Sequence, residues 1–511
     1  MGAGPGDPGL ITVAGLQALR HAEVVVYDAL ANPCLLDEAP ADAELVDAGK
    51  RAKAHRLSQD QTNALMRDKA LQGKRVVRLK GGDPYLFGRG AEEAAFLASH
   101  GVDVDVVPGI TSGIAAPAYA GIPVTHRAHA SSVTFLTGHE DPSKPDYALD
   151  YHALAGLVKT GGTLCVYMGV GRLPQIAETL VGFGVDPNTP AAAVRWGTTP
   201  RQQHVRATLD TLHDAIERGG LGPPAIVVIG AVAGLDQPGL DFFIKRPLLG
   251  KRIVITRTRK QASRLRERLE AHGAEVLEAP TIAISPPDDW ADVDHAIRRL
   301  DRDDALVLTS ANGVDALADR IDALGLDARQ LAGRLVAVVG EVTADRLWER
   351  LAIRADATPD RHIGEALAEM LIERHAVKGR RFLLLRGDRG RPALPDMLRA
   401  AGGEVVEHVV YCNKSVGALP GTVTEGLAHR NIDYVTFTSS STAENMAGLL
   451  GDRHADSLGG ARLVSIGPVT SDTMRRLGWR VDVEADPSRI DAMVDTIVAD
   501  AARASDGSSS G

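Results

Sequence analysis

Two glycine turns in the first half of the sequence combine backbone freedom with side chains that can bind a ligand. The first, Gly81-Gly82-Asp83, follows a β-branched run at 75–79 and precedes Pro84, which is typical of a sharp turn at the end of a strand. Open α/β sheets bind ligands at the carboxyl ends of their strands. Asp83 can accept hydrogen bonds from an amino or hydroxyl group, and the glycines leave room for a body the size of adenosine.

The second turn, VPGITS at 107–112, repeats this order and ends in Thr111-Ser112. The small residues that follow permit close helix packing or leave room for a bulky ligand. A third glycine-rich segment, GAGPGDPGL at 2–10, has no strand before it in the sequence and therefore does not match a dinucleotide-binding fingerprint. Taken alone, that segment is better explained by a simple glycine-rich turn between a strand and a helix.

Apolar β-branched runs alternate with helical patterns along the chain, which predicts α/β domains. Strands are expected at 23–27, 75–79, 102–107, 133–137, 163–168, 225–229 and 251–256. The Pro- and Gly-containing stretch 236–249 is predicted to be a linker. We therefore expect one domain at 1–235, a second at 250–502, and a flexible Gly/Ser-rich tail at 503–511.

The second half contains an internal repeat. KRIVITR at 251 pairs with RRFLLLR at 380, and GAEVLEAPTI at 273 pairs with GGEVVEHVVY at 402, both at an offset of 129. TSANGVDAL at 309 and VGEVTADRL at 339 pair with TSSSTAENM at 438 and IGPVTSDTM at 466. Four matches in order predict two similar α/β lobes with a ligand cleft between them.

Composition and charge exclude several classes of protein. The 511 residues carry a formal net charge of −9, without the basic excess of a general nucleic-acid binder. The longest apolar stretch, 224–235, is too short to span a bilayer, and no secretory signal is recognisable. Cys34, Cys165 and Cys412 are far apart, so neither a disulfide set nor a metal site is expected. We predict a cytoplasmic protein without a metal.

Residues 1–235 resemble the tetrapyrrole methylase family, and within it the uroporphyrinogen-III C-methyltransferases. The resemblance is carried by nine segments in matching order: GAGPGDP (2–8), VVVYD (24–28), GKR (49–51), VVRLKGGDPYLFGRG (76–90), VPGITS (107–112), YAGIPVTHR (119–127), TGH (137–139), VYMG (166–169) and PAIVVIG (224–230). It implies a two-lobed α/β methylase domain that binds S-adenosyl-L-methionine between its lobes and methylates its substrate twice, giving precorrin-2.

The family pattern also implies roles for single residues. Asp28 corresponds to a proton acceptor and Lys50 to a proton donor, although a helix cap and a solvated surface charge are the plainer interpretations of these two residues. The implied cofactor-binding residues are Pro5, Gly81, Gly82, Asp83, Leu86, Thr111, Ser112, Met168 and Gly197.

An acidic macrocycle needs cationic partners, and arginine suits carboxylates best. From residue 50 to residue 89 the sequence has 11 Lys or Arg against three acidic residues. We name Arg51 and Arg127 as substrate-binding candidates, and expect only a minority of these charges to touch substrate.

The duplicated half resembles uroporphyrinogen-III synthase from about 249 to 502. The resemblance is carried by VITR (254–257), LTSANGV (308–314), VVGEVTADRL (338–347), LLLRGDRG (383–390), VVYCN (409–413), FTSSSTAENM (437–446) and SIGPVTSDTM (465–474). It implies cyclisation of hydroxymethylbilane without a cofactor, in a two-lobed duplicated α/β domain. One lobe is expected at about 250–285 and 413–502, and the other at about 286–412, so that the repeats exchange a strand–helix element.

Such a reaction depends mainly on holding a reactive intermediate in one conformation. Tyr411 is the residue implied to assist departure of the hydroxyl group. The candidate carboxylate partners are Arg257, Thr309, Ser310, Arg386, Thr438, Ser439 and Thr470. For the hydroxyl residues, helix N-capping is an equally good interpretation.

The product of the second half is the substrate of the first, so the two resemblances predict a bifunctional enzyme that supplies precorrin-2 for sirohaem or cobalamin. We expect acidic tetrapyrroles as its ligands, no nucleic-acid or membrane partner, and a homodimer through the methylase domain. Two alternatives remain at this stage: a methylase acting on RNA or protein, and a methylase whose second half senses porphyrinogen without turnover.

Overall fold

The computed structural model describes residues 1–49, 57–139, 149–256, 259–301 and 304–508. The chain divides into two compact units. The first comprises Met1–Ile253, Arg266–Val276 and Val494–Gly511, and the second comprises Val254–Leu265 and Leu277–Met493. Among the described residues, four sheets combine with helices, which confirms the predicted α/β class.

The first unit begins with a three-stranded parallel sheet in the order β2-β1-β3. Its strands are β1 (Val24–Tyr27), β2 (Glu44–Asp47) and β3 (Val76–Leu79). Its helices are α1 (Val13–Arg20), α2 (Gln59–Leu71), α3 (Gly90–Ser99) and α4 (Ser112–Tyr119). The central strand forms because its valines are buried on both faces, as expected for a parallel sheet.

The second sheet of this unit is mixed, in the order β4-β5-β8-β6-β7. Its strands are β4 (Val133–Thr137), β5 (Thr163–Tyr167), β6 (Pro190–Arg195), β7 (Gln203–Thr208) and β8 (Ala225–Ile229). Its helices are α5 (Tyr151–Lys159), α6 (Leu173–Gly182) and α7 (Leu212–Arg218). β4 and β5 are parallel, whereas β8 is antiparallel to both β5 and β6.

The strand predicted at 102–107 is wrong. Among the described residues this segment makes no ladder, although the Gly2 amide donates to the Val107 carbonyl at 3.0 Å. The alternating valines suggested one buried face, but Val104 and Val106 are exposed. The other strands predicted from the sequence form to within one residue at each end.

Two five-stranded sheets follow. One has the order β10-β9-β16-β17-β18, and the other β11-β15-β14-β12-β13. Their strands are β9 (Arg252–Ile255), β10 (Glu275–Glu278), β11 (Ile282–Ser285), β12 (Ala305–Leu308), β13 (Leu335–Val338), β14 (Arg381–Gly387), β15 (Glu404–Ser415), β16 (Tyr434–Phe437), β17 (Arg462–Ser465) and β18 (Val483–Glu484).

The helices of this half are α8 (Arg259–Ala271), α9 (Ala291–Arg298), α10 (Ala311–Ala323), α11 (Glu341–Leu351), α12 (Gly364–Arg374), α13 (Ala393–Ala400), α14 (Gly421–Ala428), α15 (Ser440–Leu450), α16 (His454–Leu458), α17 (Pro468–Arg476) and α18 (Ile490–Ser508). The last helix extends into the stretch 503–511 that the sequence predicts as a flexible tail.

The two sheets have equivalent strand orders, which agrees with the repeat. β10-β9-β16-β17 corresponds to β15-β14-β12-β13, with each strand replaced by its repeat partner. The first two strands of each repeat therefore lie beside the last two strands of the other repeat. Each sheet has its own apolar core, one around Phe437 and Met446 and the other around Leu306 and Leu385.

Candidate functional site

Asp28 lies at the end of β1, beside two cations. Its Oδ1 accepts a hydrogen bond of 2.5 Å from Nη2 of Arg78, and Nζ of Lys80 is 3.7 Å from its Oδ2. Arg78 lies on β3 and Lys80 follows that strand, so alternation places both side chains on one face of the sheet. The Asp28 side chain is 28% exposed, against 14% and 6% for the two cations. Asp28 is therefore the part of this cluster that a substrate can reach.

A second carboxylate, Glu93 on α3, contacts the same two cations. Its Oε1 lies 3.3 Å from Nε of Arg78 and 3.1 Å from Nζ of Lys80, and it accepts 2.9 Å from Gln59 Nε2. Arg78, Lys80 and Glu93 are not among the site residues that the sequence predicts. The available signal was charge inside the apolar strand VVRLK, because a buried charge requires a partner.

The glycine turns predicted from the sequence meet in the structure. Gly4 and Gly82 exchange two backbone hydrogen bonds, and the Ala3 amide donates to the Lys80 carbonyl at 2.7 Å. Gly82 has φ +68°, and a Cβ there would have Ser112 N as its nearest neighbour at 3.9 Å. The half-buried Pro5 and Gly82 therefore lie on adjoining loops beside the first residue of α4.

Asp83 fastens these loops. Its Oδ1 accepts from the amides of Tyr85 and Leu86 at 2.8 and 3.1 Å, and its Oδ2 accepts from the Gly109 amide at 3.0 Å. Oδ2 accepts one of these three backbone bonds and keeps a second lone pair, so the expectation that Asp83 also receives a ligand's amino or hydroxyl group stays a prediction. The side chain shapes the site by joining the 83–86 turn to the 107–112 turn.

Thr111 joins the second turn to the other sheet of the unit. Its hydroxyl is 2.5 Å from the Tyr167 hydroxyl, which also accepts from the Gly113 amide at 2.7 Å. Burial raises the pKa of the Tyr167 phenol, against hydrogen bonds from this turn that lower it. Met168 follows directly, with φ +54° and an exposed side chain. Thr111, Ser112 and Met168 are thereby brought together.

Gly197 lies on a further loop that touches the first glycine segment. The Asp7 amide donates to Thr198 Oγ1 at 3.0 Å, which brings the two loops together. A Cβ on Gly197 would lie 2.7 Å from Cα of Ala116 in α4. Glycine is required here for helix packing, which the sequence did not indicate. All nine predicted cofactor-binding residues therefore lie on five loops linked by direct contacts.

Tyr411 lies on β15 in the second unit. Its phenolic oxygen accepts a hydrogen bond of 3.0 Å from Ser310, whose Oγ also accepts from the Gly313 amide. Gly387 is paired with Tyr411 at a β-bulge, and a Cβ on Gly387 would lie 2.6 Å from the phenol ring. The structure brings Ser310 and Tyr411 together. Ser310 also caps α10, which confirms the capping interpretation, while carboxylate binding by Ser310 stays a prediction.

Arg386 contacts a carboxylate and a backbone carbonyl of its own unit, and its role as a carboxylate partner of substrate stays a prediction. Its Nη1 pairs with Glu407 at 2.6 Å, and its Nη2 donates to the Gly390 carbonyl. Next to it, Asp388 accepts from the side chain and backbone of Asn413 at 2.7 and 3.0 Å. Burial acts to raise the pKa of Asp388, but these hydrogen bonds outweigh it and the pKa lies below its usual value.

The remaining hydroxyl candidates are divided between the two sheets. Thr309 precedes Ser310 at the end of β12, whereas Thr438 and Ser439 follow β16 and Thr470 lies in α17. Ser439 caps α15 in a capping box with Thr442. Thr438 and Thr470 are buried.

Three predicted residues, Lys50, Arg51 and Arg257, lie outside the described residues. Arg127 is exposed in the turn that closes between His126 and Ala130. Within the described ranges, no group of three or more His, Cys, Asp or Glu side chains is placed to hold a metal ion. No helix in the same ranges combines the length and apolar character needed to cross a bilayer.

Comparison with known families matches each half separately. Residues 1–213 match the family model of tetrapyrrole (corrin/porphyrin) methylases. Residues 263–495 match that of uroporphyrinogen-III synthase.

Individual relatives cover different shares of the chain. A porphyrin biosynthesis protein HemD from Ruminiclostridium josui is 34% identical, over 98% of this chain and 97% of the relative. A uroporphyrinogen-III C-methyltransferase from Bacillus subtilis is 39% identical, over 66% of this chain and 68% of the relative. An S-adenosyl-L-methionine-dependent uroporphyrinogen III methyltransferase from Methanosarcina barkeri is 47% identical, over 47% of this chain and 96% of the relative. The chain belongs to these families: it carries a tetrapyrrole methylase domain followed by a uroporphyrinogen-III synthase domain, and it is a bifunctional enzyme of tetrapyrrole biosynthesis.

Proposed function

We propose that the second domain cyclises hydroxymethylbilane to uroporphyrinogen III and that the first domain methylates this product twice to precorrin-2. The observation that carries the methylase assignment is the reachable Asp28 carboxylate beside the glycine loops. Because glycine has no side chain, the backbone of these loops can approach a ligand closely. A relative named uroporphyrinogen-III C-methyltransferase and the match to the uroporphyrinogen-III synthase family model support the pairing.

The loops fit S-adenosyl-L-methionine by their shape and chemistry. Gly82 leaves open space at the first residue of α4, where the positive end of the helix dipole favours a carboxylate or hydroxyl group. Pro5, Leu86 and Met168 supply apolar surface, and Asp83 holds the turns in place. When bound, the cofactor supplies an electrophilic methyl group.

The protein's own residues then orient the porphyrinogen and move its proton. Asp28 accepts the proton lost from the attacked pyrrole, with Arg78 and Lys80 holding its carboxylate. We assign Lys50 as proton donor and Arg51 and Arg127 as carboxylate partners. In the synthase, the Tyr411 phenol donates a proton to the departing hydroxyl, while Thr309, Ser310, Thr438, Ser439 and Thr470 bind substrate carboxylates. Arg257 and Arg386 stay in this set as carboxylate partners, and Arg386 also contacts Glu407 and the Gly390 carbonyl.

The test is a coupled assay of the full chain with hydroxymethylbilane and S-adenosyl-L-methionine, separating type I and type III porphyrins from methylated chromophores. Methylated type III product is expected. Type III product without methylation would overturn the methylase assignment. Spontaneous type I closure alone would overturn the synthase assignment and favour a porphyrinogen-sensing module.

The domain bounds 1–235 and 250–502, with a linker at 236–249, remain part of this proposal. Limited proteolysis between Leu235 and Leu249 should release two fragments that keep their separate activities. We also propose a cytoplasmic homodimer joined through the methylase domain, without a nucleic-acid partner. Light scattering of the full chain and of the methylase fragment tests the dimer.

A further inference from the structure

The charged cluster of Asp28, Arg78, Lys80 and Glu93 is most exposed at Asp28 and most buried at Glu93. Side-chain exposure falls from 28% at Asp28 to 14% at Arg78, 6% at Lys80 and 4% at Glu93. A charged side chain as buried as Glu93 is retained only where partners compensate its desolvation. Its partners here are the same cations that hold Asp28.

One oxygen of Glu93 collects donors from separate elements. Oε1 receives Gln59 from α2, Arg78 from β3 and Lys80 from the turn after β3. Arg78 uses Nε toward Glu93 and Nη2 toward Asp28, so its planar guanidinium bridges the two carboxylates. The orientation of this plane fixes where the Asp28 carboxylate lies.

Glu93 also balances charge. Two cations and two carboxylates make the cluster formally neutral. Without Glu93, both cations would turn to Asp28 as the remaining carboxylate partner among those described here, because a buried unpaired charge is costly. Asp28 would then be bound more closely by Arg78 and Lys80 than it is in the wild type, and its carboxylate would be less available to a substrate.

We infer that Glu93 is a positioning residue for methyl transfer: by holding Arg78 and Lys80, it presents the Asp28 carboxylate to the porphyrinogen. This inference rests on the proposed role of Asp28 as proton acceptor. Glu93 itself touches neither substrate nor cofactor. Its effect on catalysis must therefore pass through Asp28.

The experiment compares Glu93→Gln, Asp28→Asn and the double variant in the full chain, with exogenous uroporphyrinogen III and S-adenosyl-L-methionine. Glu93→Gln should lower kcat about tenfold to hundredfold, the range for a displaced catalytic group, with KM for S-adenosyl-L-methionine unchanged. Glu93→Asp keeps the charge with a shorter reach and should recover part of the loss. In the Asp28→Asn background, Glu93→Gln should cause little further loss.

The matched control is Glu178→Gln on α6 of the same unit. Glu178 is exposed, so its neutralisation should leave methylation unchanged. Synthase turnover by the same polypeptide reports that each variant is present at equal concentration, and the unchanged KM for S-adenosyl-L-methionine reports that its methylase domain is folded.

Losses that multiply in the double variant, or a rise in KM equal to the fall in kcat, would overturn the inference while leaving the proposed function intact. Wild-type activity in Glu93→Gln would do the same. A wild-type chain that does not methylate uroporphyrinogen III would overturn the proposed function, and the role of Glu93 with it.

Discussion

The hydroxyl of Ser310 donates a hydrogen bond of 3.0 Å to the phenolic oxygen of Tyr411. Because the phenol oxygen is the acceptor, its own hydrogen remains available to a substrate oxygen. The two residues are 101 positions apart in the sequence and come together because β12 and β15 flank β14. Ser310 thus orients the one phenol that we assign to catalysis.

We predict that Tyr411→Phe lowers synthase kcat about a hundredfold, the lower end of the range for loss of a proton donor. Ser310→Ala should have a smaller effect in the same direction, since the phenol remains but is less constrained. Type III porphyrin formed from hydroxymethylbilane, corrected for spontaneous type I closure, measures both. Methylation of added uroporphyrinogen III by the same variants should not change.

Asp83→Asn should weaken cofactor binding. The amide replaces one acceptor oxygen by an NH₂ group that faces backbone donors, at a cost of about 1–3 kcal/mol. If this loss falls on the bound conformation of the loops, the Kd for S-adenosylhomocysteine rises about tenfold, measured by titration calorimetry. Asp103→Asn, in the exposed segment 102–107, is the control. An unchanged Kd for Asp83→Asn would show that the turns hold together without this side chain.

Gly197→Ala should destabilise the methylase domain by about 1–3 kcal/mol, because the new Cβ would press on α4 at Ala116. Gly156→Ala is the matched comparison. Gly156 lies within α5 with no neighbouring atom within 4 Å of a new Cβ, so alanine should stabilise by about 0.5–1 kcal/mol. Urea unfolding followed by circular dichroism measures both. Equal midpoints for the two variants would contradict the packing role of Gly197.

His408 on β15 should make stability fall in mild acid. Burial lowers the pKa of His408 below its usual value, with Arg381 adding to the effect and Asp292 opposing it. The unfolded chain then binds this proton more readily than the folded chain does. The stability that neutral His408 contributes is therefore present above about pH 6.5 and is lost as pH falls through the folded pKa. The urea midpoint should therefore drop less between pH values of about 7.5 and about 5.5 in His408→Gln than in the wild type. An identical drop would exclude His408 as a source.

The sequence was sufficient to locate the site loops, because glycine turns after β-branched runs have a local physical cause. It did not reveal how those loops are joined. Asp83 contacts Gly109 across 26 residues, and no periodicity specifies such a pair. The alternation at 102–107 predicted a strand, but alternation cannot say whether a partner strand is present.

Glu92 and Glu93 also show that the sequence does not specify which side chains make contact in the fold. They are identical in type and adjacent on one helix, yet Glu92 lies in solvent and Glu93 is buried under two cations. Which carboxylate faces inward depends on the rotation of α3 against β3. That rotation is set by packing between distant segments, so the charge pattern of the sequence alone could not identify the residue that supports Asp28.

The exchange of strands between the two repeats has a consequence for how the synthase domain is made. The hydroxyl of Thr256, next to β9, donates to the Thr436 carbonyl on β16, 180 residues later in the chain. Neither repeat contains a complete sheet. During synthesis, the edge of β9 therefore stays uncovered until β16 has been made. Such non-local pairing slows folding and leaves strand edges open to wrong partners. A ribosome-stalled chain ending before β16 should therefore be much more sensitive to protease in its synthase part than the completed protein.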